Sequence, residues 1–84
     1  MFPWPEPGQN LSDVPTPMAV IDEDRLAANI ARAQAYMNAH GKAFRPHIKT
    51  HKIPAIAKLQ IEAGAVGIAC QKVSEAQVFA EAGI

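Results

Sequence analysis

Eight consecutive residues, Arg45-Pro46-His47-Ile48-Lys49-Thr50-His51-Lys52, carry three of the eight lysines and arginines and two of the three histidines of an 84-residue chain. Four kinds of chemistry suit such a cluster. It can be a basic loop that only faces water. It can be a metal site with His47 and His51 as ligands, although a spacing of four brings two imidazoles together on a helix and Pro46 argues against one. It can be a phosphate-binding patch for nucleic acid, which a balanced net charge and the lack of nearby aromatic residues disfavour. Or one of its lysines can form a Schiff base with an aldehyde cofactor. A lysine must lose its proton to attack a carbonyl, and both burial and a nearby permanent cation such as Arg45 push its pKa down.

The alternation in Ala43–Lys49 favours the last of these. As a strand it puts Phe44 and Ile48 on one face and Arg45, His47 and Lys49 on the other. In a parallel barrel the outer face is covered by helices, so the charged face points inward at the carboxyl end, where cations need an anionic partner. Lys52 competes for the role but falls beyond the strand end, near the next helix. Lys49 is therefore the expected nucleophile.

The surrounding elements follow from spacing. Residues 1–17 form a proline-rich irregular arm, with Pro3, Pro5, Pro7, Pro15 and Pro17 in it. Met18–Ile21 is an apolar run of strand length, and Asp22, Glu23 and Asp24 suit a helix start. Leu26, Ile30, Ala33 and Met37 predict one buried stripe, closed by His40-Gly41. Pro54 opens a second helix that ends at Gly64. Val66–Cys70 reads as a third strand. Ser74 with Gln77 resembles a capping box before a third helix closed by Gly83.

The order strand, helix, strand, helix, strand, helix is an α/β pattern of parallel crossovers. Residues 18–84 are thus expected to be the first β/α units of a barrel, which closes only at about 250 residues, so the 84 residues read as a fragment. Nothing in the composition points to nucleic acid or a membrane, since the net charge is zero and the apolar runs are far shorter than the ~20 residues a span requires. A single cysteine, Cys70, fits a reducing compartment and a cytoplasmic protein, and reads as a small core residue rather than a reactive thiol.

Three motifs in order carry a resemblance to a known family. Thr16-Pro17 before Met18-Ala19-Val20-Ile21-Asp22, then Arg45 to Lys52, then Cys70-Gln71-Lys72-Val73-Ser74-Glu75-Ala76 with Ala82-Gly83-Ile84, resemble the D-threonine aldolase and D-serine dehydratase family. The resemblance implies an alanine racemase-like fold: an N-terminal (β/α)8 TIM barrel and a C-terminal β domain that lies outside this chain and that the first strand joins. It implies that Lys49 carries pyridoxal phosphate, that Gln71 lines the same pocket, and that Arg45 and His47 support the cofactor or tune Lys49. For His51 it offers no role.

By the same resemblance the activity is that of a lyase on β-hydroxy D-amino acids. D-threonine aldolase comes first, with D-serine dehydratase or 3-hydroxy-D-aspartate aldolase as alternatives. It also implies a divalent metal ion (Mn, Mg or Zn) whose ligands lie outside this chain, and a homodimer at full length. Two non-enzyme readings remain beside it: a pyridoxal-phosphate-binding barrel without catalysis, and a truncated product, the 84 residues alone being expected to be inactive.

Overall fold

The structure is a computed structural model in which residues 3–84 are described. Three helices dominate it: α1 (Glu23–Ala39), α2 (Pro54–Ala63) and α3 (Val73–Glu81). Short 3-10 turns occupy Leu11–Asp13 and Ile48–Thr50.

Each helix starts and stops for a local reason. At α1 the Asp22 carboxylate accepts the Arg25 N–H at 2.9 Å, and Gly41 adopts φ 62° just past the end, as a left-handed cap requires. Helix α2 takes Pro54 in its first turn and ends on Gly64 at φ 126°. The start of α3 differs from the expected Ser74 cap. It begins at Val73, and Glu75 reaches back to accept the Lys72 N–H at 3.2 Å. Glu75 takes the amides that precede the helix, so the helix starts ahead of Ser74, which lies inside the first turn with its side chain exposed.

The expected strands are extended segments that do not build a sheet. Residues 44–48 and 66–69 run parallel, with Val66 N–H donating to Phe44 O at 2.9 Å, Ala69 N–H to Pro46 O at 2.9 Å and Ile48 N–H to Ala69 O at 3.0 Å. His47–Ala69 is the only isolated bridge among the described residues. The second segment spends three residues where the first spends two, so a bulge sits at Gly67-Ile68. Met18–Ile21 has no backbone partner among the described residues. Parallel sheets are found almost only with both faces covered and with three or more strands, and a single pair lacks these.

The core is correspondingly thin. Five apolar residues are buried, Ile48, Ile56, Ala57, Ala65 and Phe79; Ile48, Ala57 and Phe79 form one cluster with Ile68, Cys70 and Ile84 packed around it, which bears out Cys70 as a packing residue that is a free thiol. The stripe expected on α1 is only partly covered: Leu26, Ile30 and Met37 are half-buried, Ala33 is exposed, and Gln34 is the helix's one buried residue. The Cα radius of gyration is 15.2 Å, against about 12 Å for a compact domain of this length.

Candidate functional site

The parallel register brings two of the expected site residues to one edge. The bridge pairs His47 with Ala69, so Lys49 and Gln71 each follow it by two residues and leave the carboxyl ends of adjacent segments together. Both side chains are exposed there.

Lys49 does not continue the strand; it lies inside the 3-10 turn Ile48–Thr50. His47 starts that turn, its Nδ1 accepting the Lys49 N–H at 3.1 Å. Ile48 anchors it from below, fully buried in the core. The turn closes with His51 N–H and Lys52 N–H both donating to Ile48 O, at 3.2 and 2.7 Å. The burial expected of Lys49 is therefore absent: the side chain stands on an exposed turn, because the chain leaves the paired segment one residue before it. Among the described residues its amine has no ion-pair or hydrogen-bond partner.

Arg45 is exposed and its guanidinium lies against Gly67, filling the space a Cβ there would take. His51 acquires a definite structural role. Its Nδ1 accepts the Ile53 N–H at 2.9 Å, which leaves Nε2 as the protonated nitrogen, donating to Gln60 Oε1 at 3.2 Å. Its ring stands 6.5 Å from that of Phe79, centroid to centroid. Both imidazole nitrogens are thus engaged, which removes His51 from a metal pair with His47. Among the described residues no group of three or more His, Cys, Asp or Glu is arranged to hold a metal ion, and no helix is long and apolar enough to cross a membrane.

Two residues that the sequence reading did not assign to the site tie its turns together. Lys52 Nζ lies 3.4 Å from Glu75 Oε2, while Glu75 Oε1 accepts the N–H groups of Gln71 and Lys72 at 3.1 and 3.2 Å. The Glu75 side chain is only 12% exposed. Burial alone would raise its pKa, but the Lys52 ammonium and the Lys72 and Gln71 amides outweigh that and hold it below the ordinary value of 4.5. Lys52 itself has φ 55°, a left-handed conformation that costs a side-chain-bearing residue about 1–2 kcal/mol. No sequence signal links the two, since they are far apart in the chain and each fits its local element.

Behind the Lys49 turn, on the side of α1, a cleft of about 340 Å3 is lined by Ile30, Gln34, Phe44, Thr50, His51 and Gln60 among others. Lys49 and Gln71 do not line it, so it is separate from the exposed edge.

The alanine racemase N-terminal domain family matches residues 21–84, and the chain belongs to that family. It is 49% identical over 82 residues to a D-threonine aldolase of an Arthrobacter species, covering 98% of this chain and 22% of that protein. It is 50% identical over 68 residues to a D-threo-3-hydroxyaspartate dehydratase of a Delftia species, covering 81% of this chain and 18% of the relative. The crystal structure of the D-threonine aldolase from Filomicrobium marinum superposes with a TM-score of 0.85 at 46% identity, covering 88% of this chain and 20% of that one. The chain thus spans about a fifth of the length of the curated relatives it matches, and the resemblance read from its three motifs is borne out.

Proposed function

We propose that this chain forms the N-terminal part of a pyridoxal-phosphate-dependent lyase acting on β-hydroxy D-amino acids, with Lys49 as the residue that holds the cofactor. The observation that carries this reading is the unpaired Lys49 amine on an exposed turn two residues past the His47–Ala69 bridge, the point from which Gln71 also leaves the paired segment. Lys52, the rival lysine, has its ammonium held against the Glu75 carboxylate at 3.4 Å, so it is not free to reach a carbonyl as the Lys49 amine is.

The residues present fit the group. A lysine with a free amine lies at the carboxyl edge of two parallel segments, where open α/β architectures bind ligands. When bound, the cofactor supplies the electron sink for breaking a bond to the substrate α-carbon. The chain's own contribution is binding and orientation. Lys49 gives the amine that joins the cofactor; His47 fixes the backbone of its turn; Gln71 offers an amide at the same exposed edge; Arg45, its guanidinium against Gly67, is assigned as a supporting cation. The phosphate site, a divalent metal near the substrate hydroxyl and the base for the β-hydroxyl proton are assigned to residues outside this chain. A homodimer and a cytoplasmic location belong to the same reading.

Cleavage of the Cα–Cβ bond of D-threonine is the favoured activity, supported by relatives named as D-threonine aldolases. Loss of the β-hydroxyl, as in a dehydratase acting on D-serine or a 3-hydroxy-D-aspartate, is the second reading, supported by the dehydratase relative. The test is borohydride reduction of the cofactor-loaded full-length protein followed by peptide mapping, then assays with D-threonine and D-serine. A fixed adduct on Lys49 and aldehyde from D-threonine are expected. An adduct on Lys52, or none, overturns the assignment, and ammonia from D-serine without aldehyde from D-threonine selects the dehydratase.

A further inference from the structure

Two turns meet at the exposed edge, and each is fixed internally. The Lys49 turn hangs from buried Ile48 and is capped by His47. The Gln71 turn is fixed by the Glu75 carboxylate, which takes the Gln71 and Lys72 amides. Past the His47–Ala69 bridge, one ion pair joins the turns among the described residues, above the apolar packing of Ile48 and Cys70 in the core: Lys52 Nζ to Glu75 Oε2, at 3.4 Å.

We propose that Lys52 and Glu75 are positioning residues, their ion pair latching the Lys49 turn to the Gln71 turn and so setting where the Lys49 amine meets the cofactor. This rests on the reading of Lys49 given above.

Three features separate the pair from an ordinary surface salt bridge. Exposed pairs contribute little because both side chains give up freedom to form them. Here the acid is already immobilised, with one oxygen committed to two backbone amides and the side chain 12% exposed. Its other oxygen is buried and has no aligned hydrogen bond, which makes Lys52 its sole counter-charge among the described residues. Lys52 in turn occupies a left-handed backbone that glycine would take without strain. A lysine there keeps a cost that only its side chain offsets. The arrangement also sorts the two lysines, since Glu75 holds the Lys52 ammonium and leaves the Lys49 amine free.

The test compares Glu75→Gln, Lys52→Met and Lys52→Arg in the cofactor-loaded full-length protein. Glu75→Gln keeps an oxygen for the Gln71 and Lys72 amides and removes only the charge. The readouts are pyridoxal phosphate retention on dilution, the visible circular dichroism of the bound cofactor, and the urea midpoint. Glu75→Gln and Lys52→Met are expected to weaken retention about 2- to 5-fold, the range of a partly exposed pair, and to reduce the visible signal. Lys52→Arg should restore both. Parent-like retention and signal in Glu75→Gln, or Lys52→Arg as defective as Lys52→Met, would overturn the latch. A loss of retention matched by the drop in urea midpoint and without a change in visible signal also overturns it, reducing the pair to general stability. Lys49→Ala separates the two claims: if it still yields the fixed adduct, the cofactor assignment itself fails and the latch with it; if it abolishes the adduct while Glu75→Gln is silent, only the latch fails.

Discussion

Two stretches of this chain, the alternating Phe44–Ile48 and the apolar Met18–Ile21, both read as strands and have very different fates. Phe44–Ile48 pairs with residues 66–69, runs into a capped turn and ends on a fully buried isoleucine. Met18–Ile21 is extended without a backbone partner among the described residues, with Val20 and Ile21 62% and 51% exposed. Extended backbone does not satisfy its own donors and acceptors as a helix does; its order depends on a second segment. The first stretch finds that segment about 20 residues on, across α2. The second finds none among the residues described.

The largest effect should come from cutting the anchor of the paired region. Ile48→Ala empties a fully buried site in the three-residue cluster formed with Ala57 and Phe79, and should cost about 2–5 kcal/mol. Urea unfolding measures it. Because Ile48 also carries the N–H and C=O that fix the Lys49 turn, the same variant should retain less cofactor, whereas a loss below about 1 kcal/mol would mean that the turn is not hung from the core.

His51→Ala ranks next. It removes the acceptor for the Ile53 N–H and the donor to Gln60, one of them partly buried, for an expected loss of about 1–2 kcal/mol. The measurement that sharpens the comparison is amide exchange at Ile53. It should speed up in the variant, while the amides of Ile48 and Ala69 keep their protection.

Acid should loosen the same region before the rest. The Glu75 pKa is depressed in the folded chain, so its contribution is complete above the ordinary value of 4.5 and fades as the pH falls from there through the lowered value. Thermal unfolding of the parent and of Glu75→Gln should therefore differ most near neutrality and converge in acid. A difference that grows on acidification would contradict the sign.

These contrasts mark what was legible in the residues. Helix starts and stops were, because Asp22, Gly41, Pro54 and Gly64 act on their own neighbours. The parallel pairing of residues 44–48 with 66–69 followed from an alternating segment, a small-apolar one and a crossover helix between them, whereas Gln71 entered only through the family resemblance. The Lys52–Glu75 pair was hidden, as was the capping of the Lys49 turn by His47 and of the next segment by His51. Each depends on where two turns come to rest, and no periodicity records that. The Ser74 cap failed for a related reason: Ser74–Gln77 and Lys72–Glu75 have the same capping-box spacing, and it is Glu75 that reaches back to the Gln71 and Lys72 amides and starts the helix two residues earlier.

The smallest effect belongs to the unpaired stretch. Val20→Thr with Ile21→Thr exchanges apolar for polar atoms on residues that are already more than half exposed, so little transfer free energy is at stake, and threonine suits extended backbone as well as valine and isoleucine do. In the 84-residue chain the pair of substitutions should move the urea midpoint by no more than about 0.5 kcal/mol equivalent. In a full-length protein the expectation changes sign of interest rather than detail. Where this stretch joins a β domain, the same two substitutions would sit in a paired and covered strand, where removing two buried apolar side chains costs about 1–3 kcal/mol. Measuring both forms turns the contrast between the two stretches into a number: a near-zero change in the short chain with a large one in the long chain means that Met18–Ile21 lacks only its partner, and equal small changes mean that it is an arm in both.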